Sequence, residues 1–129
     1  LEDKLKGTKL IIDALKNANV DPARVVIDHV EEHTAGLVLD EGFWAGMTLY
    51  PESKCTAARA IDILETFGME NIWMNSACDW GISDPLAVIK CALEMKKRQH
   101  SIKTIQKVIF DNPARFLKQC PNFVLPETP

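Results

Sequence analysis

A chain of 129 residues with 47% hydrophobic and 26% charged residues has the material for one folded domain, which excludes a disordered or low-complexity protein. A net charge of −3 does not favour a nucleic-acid footprint, although it leaves room for a local basic groove. No apolar run approaches the about 20 residues that span a bilayer, and the charged opening Leu1-Glu2-Asp3-Lys4-Leu5-Lys6 shows no signal-peptide pattern, so a cytoplasmic location is expected.

Leu5 to Ala18 has helical spacing, with Leu5, Leu10, Ile11, Ala14 and Leu15 near one face and lysines on the other. Asn19-Val20-Asp21-Pro22 closes it, because proline does not easily continue a helix. Arg24 to Val30 is a short, β-branched, nearly continuous apolar run, the composition of a strand buried on both faces of a parallel sheet. Thr34 to Glu41 predicts a short helix stopped by Gly42. Phe43 to Tyr50 predicts a second strand, closed by Pro51. Thr56 to Phe67 is amphipathic, carrying Ala60, Ile61, Ile63, Leu64 and Phe67, with Gly68 as its stop. Asn71 to Ser76 predicts a third strand. Asp84-Pro85 reads as an N-cap with proline in the first turn of a helix running from Pro85 to Arg98. A last helix is expected over Ser101 to Phe110, a further short turn from Asn112 to Leu117, and an extended tail over residues 121–129.

Alternation of helices and strands implies parallel strands joined by right-handed crossovers. Two α/β architectures fit: an open doubly wound sheet, or a segment of a (β/α)8 TIM barrel. A complete barrel takes about 250 residues, so a barrel reading of residues 1–129 requires a chain that opens without methionine to be a part of a longer protein. The four cysteines, Cys55, Cys78, Cys91 and Cys120, form no C-x-x-C pair, which argues against a zinc finger and for free thiols.

In either architecture the active site gathers at the C-terminal ends of the strands. The first strand ends in Asp28-His29, the second in Thr48-Leu49-Tyr50, and the third in Asn75-Ser76-Ala77-Cys78-Asp79-Trp80. A histidine and an aspartate on different strand ends can converge on one ion, since imidazole and carboxylate suit Zn and similar metals. A carboxylate beside an activated water can also take its proton. The structural alternatives are a hydrogen-bonded histidine for His29 and a turn residue for Asp79.

The stretch Val25-Val26-Ile27-Asp28-His29 resembles the sixth strand of amidohydrolase-superfamily barrels, closest to the TatD-related hydrolases. Gly42-Phe43-Trp44-Ala45-Gly46-Met47-Thr48 resembles their seventh strand, and Asn71 to Asp79 their eighth. Asn112-Pro113-Ala114-Arg115-Phe116-Leu117 is similar to the N-P-x-x-x-L segment near the family's C-terminus. The resemblance implies the C-terminal segment of a TIM barrel, about strands 6–8 with their helices. It implies a metal-dependent hydrolase acting on a small-molecule substrate, with a divalent ion, zinc or else magnesium or manganese. His29 then matches a metal ligand, and Asp79 matches both a metal ligand and the general base. The family's His-x-His pair on the first strand has no counterpart here. Trp80-Gly81 stands where the family's nucleases more often carry a small residue and a proline, which points away from nuclease activity towards a divergent subgroup.

Further candidates are His33 and Trp80 for substrate, weighed against a solvated helix start and rim packing. Glu31 and Glu32 are hydrogen-bonding groups for substrate or a solvated face. Gly46 allows close approach of a ligand or of neighbouring backbone, and Trp44 and Trp73 pack the core. Cys78 is a soft ligand whose side chain should point away from Asp79 if the strand still alternates there. Lys96-Lys97-Arg98-Gln99-His100 offsets a helix dipole rather than binding nucleic acid. The competing functional classes are a non-catalytic α/β domain and a phosphate-binding module built on a helix start such as Asp84-Pro85. The second lacks a glycine-rich turn.

Overall fold

Asp3 opens the first helix, α1 (Lys4–Asn17), by accepting a hydrogen bond from the Lys6 N–H. The helix buries Thr8 and Ile12, while Leu10 and Ile11 are 62% and 51% exposed. The face turned to the core is therefore the Thr8–Ile12–Leu15 stripe, rotated from the apolar face that the spacing predicts. In this computed structural model residues 3–50, 54–78 and 81–126 are described.

Asp21 caps a single 3-10 turn (Pro22–Arg24) through the Ala23 N–H. The first strand, β1 (Val26–Ile27), is shorter than the run Arg24 to Val30 predicts. His29 ends it by taking φ +61, a left-handed conformation incompatible with a strand. The chain then rejoins the sheet, as the Val30 N–H donates to the Gly46 carbonyl at 2.9 Å.

Helix α2 (Ala35–Asp40) leads through Gly42, at φ +82, into β2 (Trp44–Thr48), which is buried along its whole length. Helix α3 (Ala57–Phe67) is capped by the Thr56 hydroxyl and stopped by Gly68 at φ +90. Strand β3 (Ile72–Asn75) follows. Helix α4 (Ala87–Lys97) starts two residues later than the Asp84-Pro85 pair predicts. Asp84 is not its cap: the carboxylate accepts from the Leu86 N–H in the turn before the helix. Beyond it, α5 (Ile102–Gln106), a π turn (Lys107–Asp111) and α6 (Asn112–Leu117) run on without a break. Residues 123–126 carry no regular structure, and 127–129 lie outside the described residues.

The sheet has the order β1-β2-β3, all parallel, with Val26 beside Trp44, Gly46 beside Trp73 and Thr48 beside Asn75. Alternation then sorts the two faces. Ile27, Ala45, Met47, Ile72 and Met74 share one face and join one core with Ile12, Val38, Ile61, Leu64, Cys91 and Met95 from helices α1 to α4. Each large aliphatic side chain withdrawn from water there contributes about 1.5–3 kcal/mol before the entropy of ordering is set against it.

The other face carries Val26, Trp44, Gly46, Thr48, Trp73 and Asn75. Its lower half is closed by Phe116 of α6, whose ring meets Trp44 and Trp73 edge-on at 5.4 and 5.1 Å. The fold is thus mixed α/β with a small parallel sheet. No helix among the described residues is long and apolar enough to cross a membrane.

Candidate functional site

The upper half of that second face is polar. Asp28 follows β1, Thr48 ends β2 and Asn75 ends β3, and the parallel register brings all three to the C-terminal edge. The Thr48 hydroxyl donates to Asp28 Oδ2 at 2.9 Å, and Asn75 Nδ2 reaches the same oxygen and Thr48 Oγ1 at 3.3 Å each. The other carboxylate oxygen accepts the backbone N–H of His29 at 2.8 Å. Asp28 therefore ties the three strand ends together and holds the peptide of His29 in its left-handed turn.

Gly46 makes this possible. A Cβ there would stand 2.6 Å from Asp28 Oδ1 and 2.9 Å from Val26 Cγ1. The close approach expected at Gly46 is thus the approach of a carboxylate and a neighbouring strand's side chain. Above the network lies an open cleft of about 420 Å3 lined by Asp28, His29, Thr48, Asn75, Lys54 and Cys78, among others. Lys54 sits over the Tyr50 ring, 5.0 Å from its centroid. The cleft thus holds an imidazole, a carboxylate, an ammonium and a thiol on one rim.

The structure places the candidates differently. His29 is exposed and lines the cleft. Asp79 and Trp80, expected as general base and substrate contact, lie outside the described residues, and the described chain halts at Cys78 on the cleft wall. His33 is exposed at the turn before α2 and is not among the residues lining the cleft. Glu31 pairs with Lys4 at 2.5 Å. Glu32 receives both Nε and Nη2 of Arg59 at 2.8 Å, which holds its carboxyl at about 2, well below the usual carboxylate range. Arg59 also donates to the Lys54 carbonyl at 2.6 Å, so the pair steadies the segment that carries Lys54 into the cleft.

All four cysteines are free. Burial pushes the Cys55 and Cys91 thiols up to about 11 and about 12, so both stay protonated near neutrality. Arg98 bridges Asp62, Glu65 and Glu94, and His100 meets Glu65 at 2.8 Å. These two members of the basic run clamp α4 onto α3. Thr48 and Asn75 were visible as strand-end polar residues, but their convergence on Asp28 needed the register. Lys54 carried no signal in the sequence.

Among the described residues no group of three or more histidine, cysteine, aspartate or glutamate side chains could hold a metal ion. His29 and Asp28 suit a divalent ion in kind, an imidazole and a carboxylate on one cleft. They fall short in number, because a catalytic zinc usually takes three protein ligands. Comparison with known proteins found no match to a family model, a curated protein or a solved structure.

Proposed function

We propose that the chain is the last three β/α units of a TIM barrel, about strands 6–8, and that it belongs to the TatD-related metal-dependent hydrolases. The observation that carries this reading is the polar strand-end network: Asp28, Thr48 and Asn75 at the C-terminal edge of a parallel sheet, with His29 on the cleft above. Barrel enzymes keep their chemistry at that edge. Helices α1 to α4 pack with one face of the sheet, and α6 closes only the lower half of the other, which leaves the polar strand ends uncovered.

His29 and Asp79 are this chain's ligands for a divalent ion, zinc or in its place magnesium or manganese. When bound by these residues together with ligands from the remaining strands, such an ion would supply Lewis acidity. Asp79 takes the proton of the attacking water, and the substrate offers a carbonyl or phosphoryl centre. Asp28 serves as a positioning residue, fixing His29 through its backbone. Trp80 and His33 contact the substrate in this reading.

The test compares wild type with Asp79→Asn in the protein that carries the remaining strands. The amide keeps the shape but is no base and a poorer ligand, so turnover should vanish while the circular dichroism spectrum stays the same. Wild-type kcat in that variant removes Asp79 from the mechanism. Residues 1–129 alone should be inactive, and stoichiometric zinc binding at micromolar metal together with ester or phosphoester hydrolysis would overturn the partial-barrel reading.

A further inference from the structure

The opposite edge of the sheet carries a second cleft, of about 330 Å3, at the low end of the size range of ligand pockets. Lys103, Lys107, Asp111 and Arg115 line it from α5, the π turn and α6, with Glu70 facing them. These four positions are spaced by four residues. On an α-helix of about 3.6 residues per turn, each such step overshoots by about 40° and the row spirals away. A π turn is wider, so a four-residue step inside it falls short of a full turn. The two offsets oppose each other, and the π turn at Lys107–Asp111 keeps the row on one face. A distortion of this kind often marks a functional site.

The floor is rigid. Asn112 is 1% exposed, and its Nδ2 donates to the Met69 and Ile72 carbonyls at 2.9 and 2.8 Å. Its Oδ1 has no hydrogen bond among the described residues, although Asn112 lines the cleft. Arg115 is held by Asn71 Oδ1 at 2.9 Å and lies over the Trp44 ring at 4.8 Å. Two carboxylates offset the three cations of the site: Glu70, which pairs with Lys107 and stands 3.6 Å from Arg115, and Asp111, which lines the cleft in the same row as the cations. The Glu70 side chain is 63% exposed, so it can swing into solvent at little cost. Asp111 meets Gln106 Nε2 at 3.4 Å. Lys103 has no ion-pair partner among the described residues.

The geometry points to a binding site for a phosphate monoester that carries hydroxyl groups, of the size and kind of a sugar phosphate. A phosphomonoester brings a charge of about −1.5 to −2 at neutral pH, more than the single charge of Glu70, so it competes with that carboxylate for Lys107 and Arg115 and recruits Lys103. With Glu70 turned out to solvent, three cations face the ligand and Asp111 is the carboxylate that remains in the lining. Asn112 Oδ1 accepts from a ligand hydroxyl. The site lies at the N-terminal ends of β2 and β3, away from the Asp28 network, and does not depend on the hydrolase reading.

The test is calorimetric titration of the intact protein in low salt with ribose 5-phosphate and, separately, inorganic phosphate. Ribose 5-phosphate should bind saturably and more tightly than inorganic phosphate. Lys103→Ala and Lys107→Ala should each weaken it about tenfold, the size of one lost charge-assisted contact. Glu70→Gln should tighten it severalfold by releasing Lys107 and Arg115, and His29→Ala should leave it unchanged. The proposal is overturned by absence of saturable binding, by equal affinity for the two probes, or by unchanged affinity in the Lys103→Ala/Lys107→Ala double variant. Weaker binding in Glu70→Gln, or loss of binding in His29→Ala, overturns it as well.

Discussion

Single residues hold the strand-end network and the segment beside it in place, and two of them make direct predictions. Gly46→Ala forces a methyl group against Asp28 Oδ1 and Val26 Cγ1. Overpacking of this kind costs about 1–3 kcal/mol, and a urea titration should show it; a loss below a few tenths would mean that Asp28 moves aside freely. Glu32 gives the pH-dependent case. Its carboxyl is lowered from 4.5 to about 2 by Arg59, so the unfolded chain binds the proton more readily. The stabilisation is complete above pH 4.5 and is lost as pH falls through 2. The side chain is 46% exposed, so solvent screening limits the contribution to about 1 kcal/mol or less. Glu32→Gln should be less stable than wild type at pH 7, and the two should converge below pH 2. Equal stability at pH 7 would show that the pair contributes nothing. In the sequence Glu31 and Glu32 stood among the candidates beside His29, and only the fold assigns them to Lys4 and Arg59, because ion-pair partners 27 residues away leave no trace in local spacing.

At the scale of elements, the parallel strands and the helices between them could be read from apolar runs and stop signals, whereas their ends could not. The first strand stops at Ile27 because His29 takes a left-handed turn, which a β-branched run cannot announce. The last helices join through a π turn, although Asn112-Pro113 reads as a fresh start. Asn112 explains why that junction is worth its distortion. The Ala45 and Leu49 N–H groups donate to the Asn71 and Asn75 carbonyls, so the alternate carbonyl, that of Ile72, faces the outer edge of β3. Asn112 satisfies it, and the Met69 carbonyl too. Asn112→Leu keeps the volume but orphans both acceptors, which should cost about 3 kcal/mol and shift the denaturation midpoint accordingly. A change under about 0.5 kcal/mol would show that water or a neighbour replaces the amide.

For the whole molecule, the exposed apolar residues are the outstanding property. Ile89 and Leu93 on α4, with Leu86 just before it, are 56%, 54% and 54% exposed, and Leu10 and Ile11 on α1 are exposed as well. Stripes of this kind seek cover. Sedimentation of residues 1–129 should therefore show concentration-dependent association, relieved by Ile89→Lys with Leu93→Glu; a monomer at every concentration would mean that the stripes are tolerated bare. This separates what was readable from what was not: a three-strand parallel α/β unit follows from the order of runs, but what lies against its flanks does not. The strand order β1-β2-β3 has a last consequence. Space order and synthesis order coincide, so as the chain leaves the ribosome each strand meets the free edge of the one before it. Among the described residues no strand has to be threaded between two already in place, and the sheet can grow at the pace of translation.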